Sequence, residues 1–422
     1  MAEPGQVLEL EVGSVAHGGI FVARYDGRVV FVTDTLPGER VRARLTETKH
    51  DRFWRADTIE VLDAAPERQA HVWDAASIDR DPAERAGGAE FGHIALERQR
   101  ALKSQVLGES LARMGGVERD VAVEAVPTID APDDQTGTGW RTRVRLQVDA
   151  DGRPGPYAAR SHHVVDIDDL PLATERVREA APLRSRFAGA AHVDVIAPSA
   201  GEAIVLVAES DRRGRPLPYE RGTVSESVAG RTFSLERGGF WQVHSGAAET
   251  LYRAVQDAID PALFDPRAAN LDLYGGVGLL AAAVGDRFGD TVRITTVESD
   301  PLATDHAAQN LSEWIGARAV TARVDRYVRE LQAAGNHSER ARTRSATVVL
   351  DPPRSGAGRE VIDALAALAP RQLVYVACDP VALARDVGFL RAHGYELADI
   401  RAFDLFPNTH HVEAVARLVD TR

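Results

Sequence analysis

The chain is poor in sulfur: 422 residues include one Cys and two Met. A single Cys cannot close an internal disulfide. The opening Met1-Ala2-Glu3-Pro4-Gly5 has neither the basic start nor the apolar stretch of a secretion signal. A cytoplasmic protein is the expectation. The same scarcity excludes a cysteine-ligated iron–sulfur cluster or a zinc site built from several cysteines, and no metal centre is expected. Apolar runs of the roughly 18 residues that span a bilayer are missing, so no membrane partner is expected. Positive charge is not in excess either. The net charge of −13 argues against nonspecific nucleic-acid binding over the whole surface, yet leaves room for a local basic patch. With 44% hydrophobic and 27% charged residues, the composition is that of a soluble globular chain. Its length favours two or three domains, and a monomer is expected.

Three regions differ in texture. Residues 1–63 alternate short β-rich runs with Gly turns, the pattern of a small barrel. Residues 64–238 mix a helical stretch, Ile94 to Met114, with strand-like segments at Trp140 to Val148 and Ala203 to Ala208. Residues 239–422 alternate strands and helices. Strands are predicted at Ala269 to Leu273, Arg293 to Val297, Ala346 to Leu350 and Gln372 to Ala377, each followed by a helical segment. That rhythm predicts an α/β unit with a mostly parallel sheet covered by helices. The polar stretch Gly335 to Ser345 reads as a solvated helix end or loop.

In the third region, Asp272-Leu273-Tyr274-Gly275-Gly276-Val277-Gly278 sets glycines between a strand and a helix. Glycine lets the backbone turn tightly and approach a ligand closely. The next strand ends at Glu298, about twenty residues on, where an acidic side chain grips ribose hydroxyls in nucleoside-binding folds of this kind. The full G-x-G-x-x-G spacing is missing, which disfavours a dinucleotide. An ordinary tight turn is the alternative, and Glu298 in register weighs against it.

Asp351-Pro352-Pro353-Arg354 follows the next strand but one. Carboxyl ends of parallel strands face the ligand crevice; a rigid surface turn is the competing interpretation of the two prolines. The strand Leu373 to Ala377 then delivers Cys378-Asp379-Pro380 to the same edge. A lone Cys is more often a small buried hydrophobe than a nucleophile. This one sits just before a helix start, where a thiolate is favoured. Near the end of the sequence, Phe406-Pro407-Asn408-Thr409-His410-His411-Val412-Glu413 leads into a β-rich run. On an extended chain His410 and His411 point to opposite faces and do not share one metal ion.

Taken together, these segments resemble the RNA 5-methyluridine (uracil-5) methyltransferases, and Phe240-Trp241-Gln242-Val243-His244 and Leu383-Ala384-Arg385-Asp386 match as well. The order and spacing agree across the whole C-terminal half. The resemblance implies a Rossmann-like methyltransferase domain, S-adenosylmethionine as cofactor, rRNA or tRNA as partner, and transfer of a methyl group to carbon 5 of a uridine. It implies that Gln242, Tyr274, Glu298 and Asp351 contact the cofactor, that Cys378 is the nucleophile, and that Glu413 is the base. The first region resembles a TRAM domain, a small RNA-binding β-barrel. Gly87-Gly88, His93, Gln99 and Lys103 resemble the family's central α+β domain.

The chain departs from the family at several points. Where many members carry four cluster-binding cysteines, this sequence has Arg80, Ala86, Ala89 and Leu170. His244 and Asp379 each stand where Asn is usual, and Gly275 where Cys is common.

Carbon 5 of uracil is a weak nucleophile. A thiolate that adds at carbon 6 makes it reactive, and a base must then remove the carbon 5 proton so that the thiolate can leave. The uridine must be flipped out of its stack, with Phe406 or Trp241 as stacking candidates. Arg42, Arg44, Arg52, Phe53 and Trp54 of the barrel combine basic groups with aromatics, as single-stranded RNA surfaces do. A solvated barrel face is an equal alternative. Arg141, Arg143 and Arg145 alternate along a predicted strand and share a face that meets RNA or water. Two competing functions remain. One is a non-catalytic RNA-binding or RNA-folding protein, which loss of Cys378 or Glu413 would have favoured. The other is an amino-group methyltransferase, which needs no cysteine and usually has an aromatic residue where Arg354 stands.

Overall fold

The computed structural model describes residues 3–50, 52–130, 135–334 and 337–422. Met1, Ala2 and residues 335 and 336 of the polar stretch Gly335 to Ser345 lie outside them. Among the described residues no helix is long and apolar enough to cross a membrane.

Strands β1 (Val7–Ala16), β2 (Ile20–Tyr25), β3 (Arg28–Thr33), β4 (Arg40–Glu47) and β5 (Phe53–Asp63) close into a barrel in the order β1-β2-β3-β5-β4. Leu8, Leu10 and Val12 of β1 point inward while Val7, Glu9 and Glu11 point outward, so alternation in the sequence becomes the barrel's two faces.

The middle of the chain holds α1 (Leu96–Ser110), which continues as one π-helical turn to Gly115, and then β6 (Val123–Ala125). A four-stranded sheet follows in the order β10-β9-β7-β8, from β7 (Arg143–Val148), β8 (Pro154–Gly155), β9 (Ala190–Ile196) and β10 (Ile204–Glu209). The short helix α2 (Glu175–Ala180) and the hairpin β11 (Thr223–Val228) and β12 (Arg231–Glu236) complete this part.

The remainder begins with α3 (Ala247–Ala258), β13 (Asn270–Leu273), α4 (Leu279–Phe288), β14 (Ile294–Glu298), α5 (Pro301–Asn310) and β15 (Ala317–Thr321). After them come α6 (Val324–Ala334), α7 (His337–Arg344), β16 (Thr347–Leu350), α8 (Gly358–Leu368), β17 (Gln372–Ala377) and α9 (Pro380–Ala392). The last strands are β18 (Tyr395–Asp404) and β19 (Glu413–Asp420). One sheet runs β15-β14-β13-β16-β17-β19-β18-β6. Its first five strands are parallel, and β19 pairs antiparallel with both neighbours. Every residue of β16 and β17 is buried, as central parallel strands covered on both faces require. The α/β class with an N-terminal β-barrel is as the sequence predicts.

Residues 64–238 do not pack as one body. Leu107 and Leu111 of the α1 segment share a core with Leu350, Leu373 and Leu383, and β6 is the edge strand beside β18. Phe233 and Leu235 of β12 pack with Leu251 and Leu280. Trp140, Leu146, Ile167 and Val195 form a separate cluster. The sequence marks α1 as a helix but does not say what covers it: Leu102 packs into the barrel core, while Leu107 and Leu111 pack into the core of the sheet.

A buried ion pair joins α1 to the sheet. Lys103 Nζ donates to Asp404 Oδ1 at 2.5 Å and to the Phe406 carbonyl at 3.0 Å. Both charged side chains are almost fully excluded from solvent. One helical turn earlier, Gln99 accepts from Asn408 N at 2.7 Å and donates to Asn408 Oδ1 at 2.9 Å. Asn408 sits at φ +64°, and its side chain donates to the carbonyls of Thr136 and Gly137. These bonds fix the loop between β18 and β19. Removing one member of a buried pair leaves the other charge uncompensated. Lys103→Met is therefore expected to cost about 3–5 kcal/mol in urea unfolding. Adding Asp404→Leu to the same chain is expected to recover most of that loss; no recovery would mean the pair is not what holds α1.

Candidate active site

The parallel strands end on one edge. β13 leads into the glycine loop, β14 ends at Glu298, β16 leads into Asp351 and β17 into Cys378. The sixth strand runs the other way, so its first residue reaches the same edge. Ala377 pairs with Ala414, which sets Cys378 beside Glu413. A cavity of about 1080 Å³ opens there. Gln242, Tyr274, Glu298 and Asp351 line one part of it; Arg354, Cys378 and Glu413 line the other. Residues more than 170 positions apart in the chain thus share one wall.

The glycine loop is built by hydrogen bonds and by close approach. Glu298 Oε2 accepts from Gly276 N at 3.2 Å, and its Oε1 accepts from Asp300 N at 2.8 Å. Tyr274 adopts φ +62°, a left-handed conformation that costs a non-glycine residue energy and marks a strained turn. A Cβ at Gly275 would lie 1.9 Å from Thr296 Oγ1 and 2.6 Å from Asp272 Oδ2. Thr296 Oγ1 donates to that carboxylate at 2.9 Å, so the threonine fills the space a larger residue at 275 would need. The turn and its acidic partner, Glu298, thus border the cavity without filling it.

The part of the cavity around Cys378 concentrates acids. Burial, with Glu413 and Asp351 nearby, pushes the Cys378 thiol up to about 12; Arg354 works in the opposite direction. Burial and Asp272 raise Asp351 to about 7. Glu413, buried and facing Asp351, is raised well above the ordinary carboxyl range, with Arg354 opposing. Arg354 is the cation that acts on both Cys378 and Glu413. Its Nη2 lies 3.3 Å from His411 Nε2. Burial, His410 and Arg354 hold His411 down to about 3, so it stays neutral and accepts from the guanidinium. Such surroundings hold Cys378 as a thiol and let Asp351 take up a proton near neutrality.

The aromatic candidates separate. Trp241 is buried among Phe233, Leu251 and Leu280, and no base can reach it. Phe406 lines the cavity but is packed edge-on against Trp140 at 6.0 Å. Phe240, one residue from Gln242, is 75% exposed at the cavity wall. It belongs to a segment the sequence singled out, but only the fold shows which of the two neighbouring aromatics faces solvent. His244 is buried away from the cavity wall, stacked on Trp140 with ring centroids 5.7 Å apart, and its Nδ1 accepts from Gly246 N.

The basic candidates separate too. Arg141 lines the cavity, its guanidinium 5.1 Å from the Trp140 ring. Arg143 donates to the Gly239 carbonyl at 2.6 Å and Arg145 makes two bonds of 2.7 Å to Asp194, so these two tie the fold together and do not form a free face. On the barrel, Arg42 is paired with Glu9 and Glu60, and Arg44 with Asp81. Trp54 is largely buried, with Arg28 over its ring at 4.6 Å. Phe53 stacks on His50 at 4.4 Å and Arg52 is exposed. None of these barrel residues reaches the cavity wall. The Arg80, Ala86, Ala89 and Leu170 positions offer no thiolate, and Ala86 and Ala89 are buried beside the Arg85–Asp34 ion pair. An iron–sulfur cluster does not fit that donor set.

Fold and site define an S-adenosylmethionine-dependent methyltransferase with an N-terminal barrel. Residues 2–57 match the TRAM domain and residues 326–420 match tRNA (Uracil-5-)-methyltransferase. The chain is 38% identical to an uncharacterized RNA methyltransferase of Streptomyces avermitilis over 98% of both chains. It is 30% identical to the 23S rRNA (uracil(1939)-C(5))-methyltransferase RlmD of Alkalilimnicola ehrlichii, over 98% of this chain and 96% of that one. The crystal structure of Pyrococcus abyssi tRNA (uracil-54, C5)-methyltransferase with S-adenosyl-L-homocysteine superposes with a TM-score of 0.69 at 20% identity, covering 97% of this chain and 99% of that one. The chain belongs to the RNA uracil-5 methyltransferase family.

The raised carboxyls have a measurable cost. Asp351 ionises near 3.8 when unfolded and at about 7 when folded. Its contribution to stability is complete below the lower value and drains away as pH rises to the higher one. Asp351→Asn is expected to raise the melting temperature by roughly 3–8 °C at pH 8 and by much less at pH 4. A gain of equal size at both pH values would show that ionisation is not its source.

Proposed function

We propose that this protein methylates carbon 5 of a uridine in rRNA or tRNA through a covalent adduct on Cys378. The observation that carries this reading is the placing of Cys378 and Glu413 side by side, on the wall of the cavity that also holds Gln242, Tyr274, Glu298 and Asp351. Bound S-adenosylmethionine supplies an electrophilic methyl group there, held by those four residues. Glu298 takes the ribose hydroxyls, and the glycine loop admits the nucleoside. The exposed ring of Phe240 stacks on the flipped base or its neighbour, and Arg141 meets the RNA at the cavity wall. Arg52 and Phe53 extend that contact along the barrel.

Cys378 adds through sulfur to carbon 6 of the uracil, and its proton passes to Asp351, whose raised pKa suits an acceptor. Arg354 offsets the negative charge this builds. Carbon 5 takes the methyl group. Glu413 removes the proton left on carbon 5, the carbon–sulfur bond breaks, and Cys378 recovers a proton from Asp351. The net products are the methylated uridine, the demethylated cofactor and one proton, which leaves from Glu413. Domain roles follow: residues 1–63 bind RNA, 64–238 brace the site, and 239–422 carry the cofactor and the chemistry.

The test is incubation with labelled S-adenosylmethionine and either unmodified tRNA or 23S rRNA transcripts, followed by mapping of the product. Cys378→Ala is expected to abolish transfer, by about 10⁴-fold or more. Glu413→Gln is expected to accumulate a denaturation-resistant RNA–protein adduct, because elimination stalls. Transfer that persists in Cys378→Ala would remove the nucleophile from this scheme.

A further inference from the structure

The turn between β1 and β2 does not face outward to RNA. It is pressed against both loops that carry the catalytic groups. His17 Nε2 lies 2.8 Å from Asp379 Oδ2, across 362 residues of chain. Asp379 directly follows Cys378, and its other oxygen accepts from Ala382 N at 2.8 Å as the N-cap of α9. One carboxylate thus joins the barrel to the helix start that holds the nucleophile. On the other side, a Cβ at Gly19 would sit 2.9 Å from His410 Cβ, so the turn approaches the β18–β19 loop as closely as glycine permits. Gly18 and Gly19 have φ of +86° and +72°, conformations that other residues rarely adopt. Between the turn, Cys378 and Val412 only about 10 Å³ remains, too little for a layer of water.

We propose that this turn positions both catalytic loops, and that His17 aligns Cys378 through Asp379. The inference rests on the proposed function for its kinetic readout. His17 is a positioning residue and touches no reacting atom. The usual Asn at position 379 would make only a neutral contact; Asp379 makes a charge-assisted one. The hydrogen bond that His17 donates to Asp379 raises the pKa of His17, against the effect of burial. Burial pushes Asp379 up, but His17 and the backbone N–H groups outweigh it and hold Asp379 below the ordinary range. The other charged or titratable groups lining the small cavity are Cys378, held as a thiol, and Lys103, His410 and His411. Lys103 is committed to Asp404, His410 faces Glu90 at 3.5 Å, and His411 is neutral. The sign follows. The charged pair is complete below the ordinary histidine value of 6.5 and is lost as pH rises through the raised one. On the acid side it fails only as pH falls through the lowered value of Asp379.

His17→Gln keeps a neutral hydrogen bond, and His17→Ala removes the contact. The probes are the tRNA and 23S rRNA transcripts, with single-turnover transfer measured at saturating RNA beside RNA affinity by filter binding. His17→Ala is expected to slow transfer about tenfold while affinity changes less than about twofold. The ratio of the native rate to the His17→Gln rate is expected to fall as pH rises above 6.5. A loss confined to affinity, or a ratio flat with pH, overturns the inference and leaves the proposed function standing. If the native chain methylates neither transcript, the proposed function fails instead. The contact is then judged without substrate, by hydrogen exchange. His17→Ala is expected to speed exchange in peptides spanning Cys378 to Leu383 and Phe406 to Glu413. Unchanged exchange there overturns the inference on its own.

Discussion

The antiparallel pairing of β19 against β17 is the constraint on which the site depends. With Ala377 opposite Ala414, the residue after one strand and the residue before that pair meet at the sheet's edge. A slip of two residues would keep the same faces buried yet move Glu413 by about 7 Å. Hydrophobic burial alone does not forbid such a slip. The loop before β19 does, because Gln99 and Lys103 hold Asn408, Asp404 and Phe406 at fixed points. Two polar side chains of one helix therefore help to hold the register that sets Glu413 beside Cys378.

That dependence explains why residues 64–238 do not stand apart. A segment that must lock the β18–β19 loop has to lie against the sheet, and the α1 segment does so with Leu107 and Leu111 in the same core as residues of β16 and β17. Without cluster-binding cysteines, the joint between barrel and centre is held by ion pairs: Arg68 with Glu39, Arg85 with Asp34 and Arg160 with Asp57. Glu39 is fully buried and also accepts from Leu36 N and Ala65 N, so its charge is well compensated. Charged residues on the barrel are partly spent on such pairs, whereas Arg141 and Arg354 set positive charge at the cavity of this acidic chain.

The electrostatics of the pocket follow from the same convergence. Strand ends bring Asp272, Asp351, Cys378 and Glu413 into a desolvated space, and burial raises the proton affinity of each; nearby acids add to it, Glu298 at Asp272, Asp272 at Asp351, Asp351 at Glu413, and Glu413 and Asp351 at Cys378. Arg354 is the counterweight, oriented by a histidine whose neutrality is guaranteed by its surroundings. Stability is given up here to keep protons mobile, a common trade at functional sites.

The barrel, the α/β rhythm and the motif residues were legible in the sequence, because alternation, glycine placement and fixed spacing are local properties. The roles proposed for Cys378 and Glu413 come from a resemblance carried by ordered motifs; that the two residues lie side by side is what the fold adds. Several things were not. Tertiary structure decided that Phe240 and not Trp241 is exposed, since neighbours on an extended segment face opposite ways and composition does not say which side is solvent. It decided that Arg143 and Arg145 are bound to Gly239 and Asp194, because their partners lie far along the chain. It decided that His17 reaches Asp379, a contact that no spacing rule covers. The sequence by itself determined which groups are present and which local elements carry them. Only the fold decided which of them meet, because a meeting depends on packing between distant segments, and that is set by the whole core.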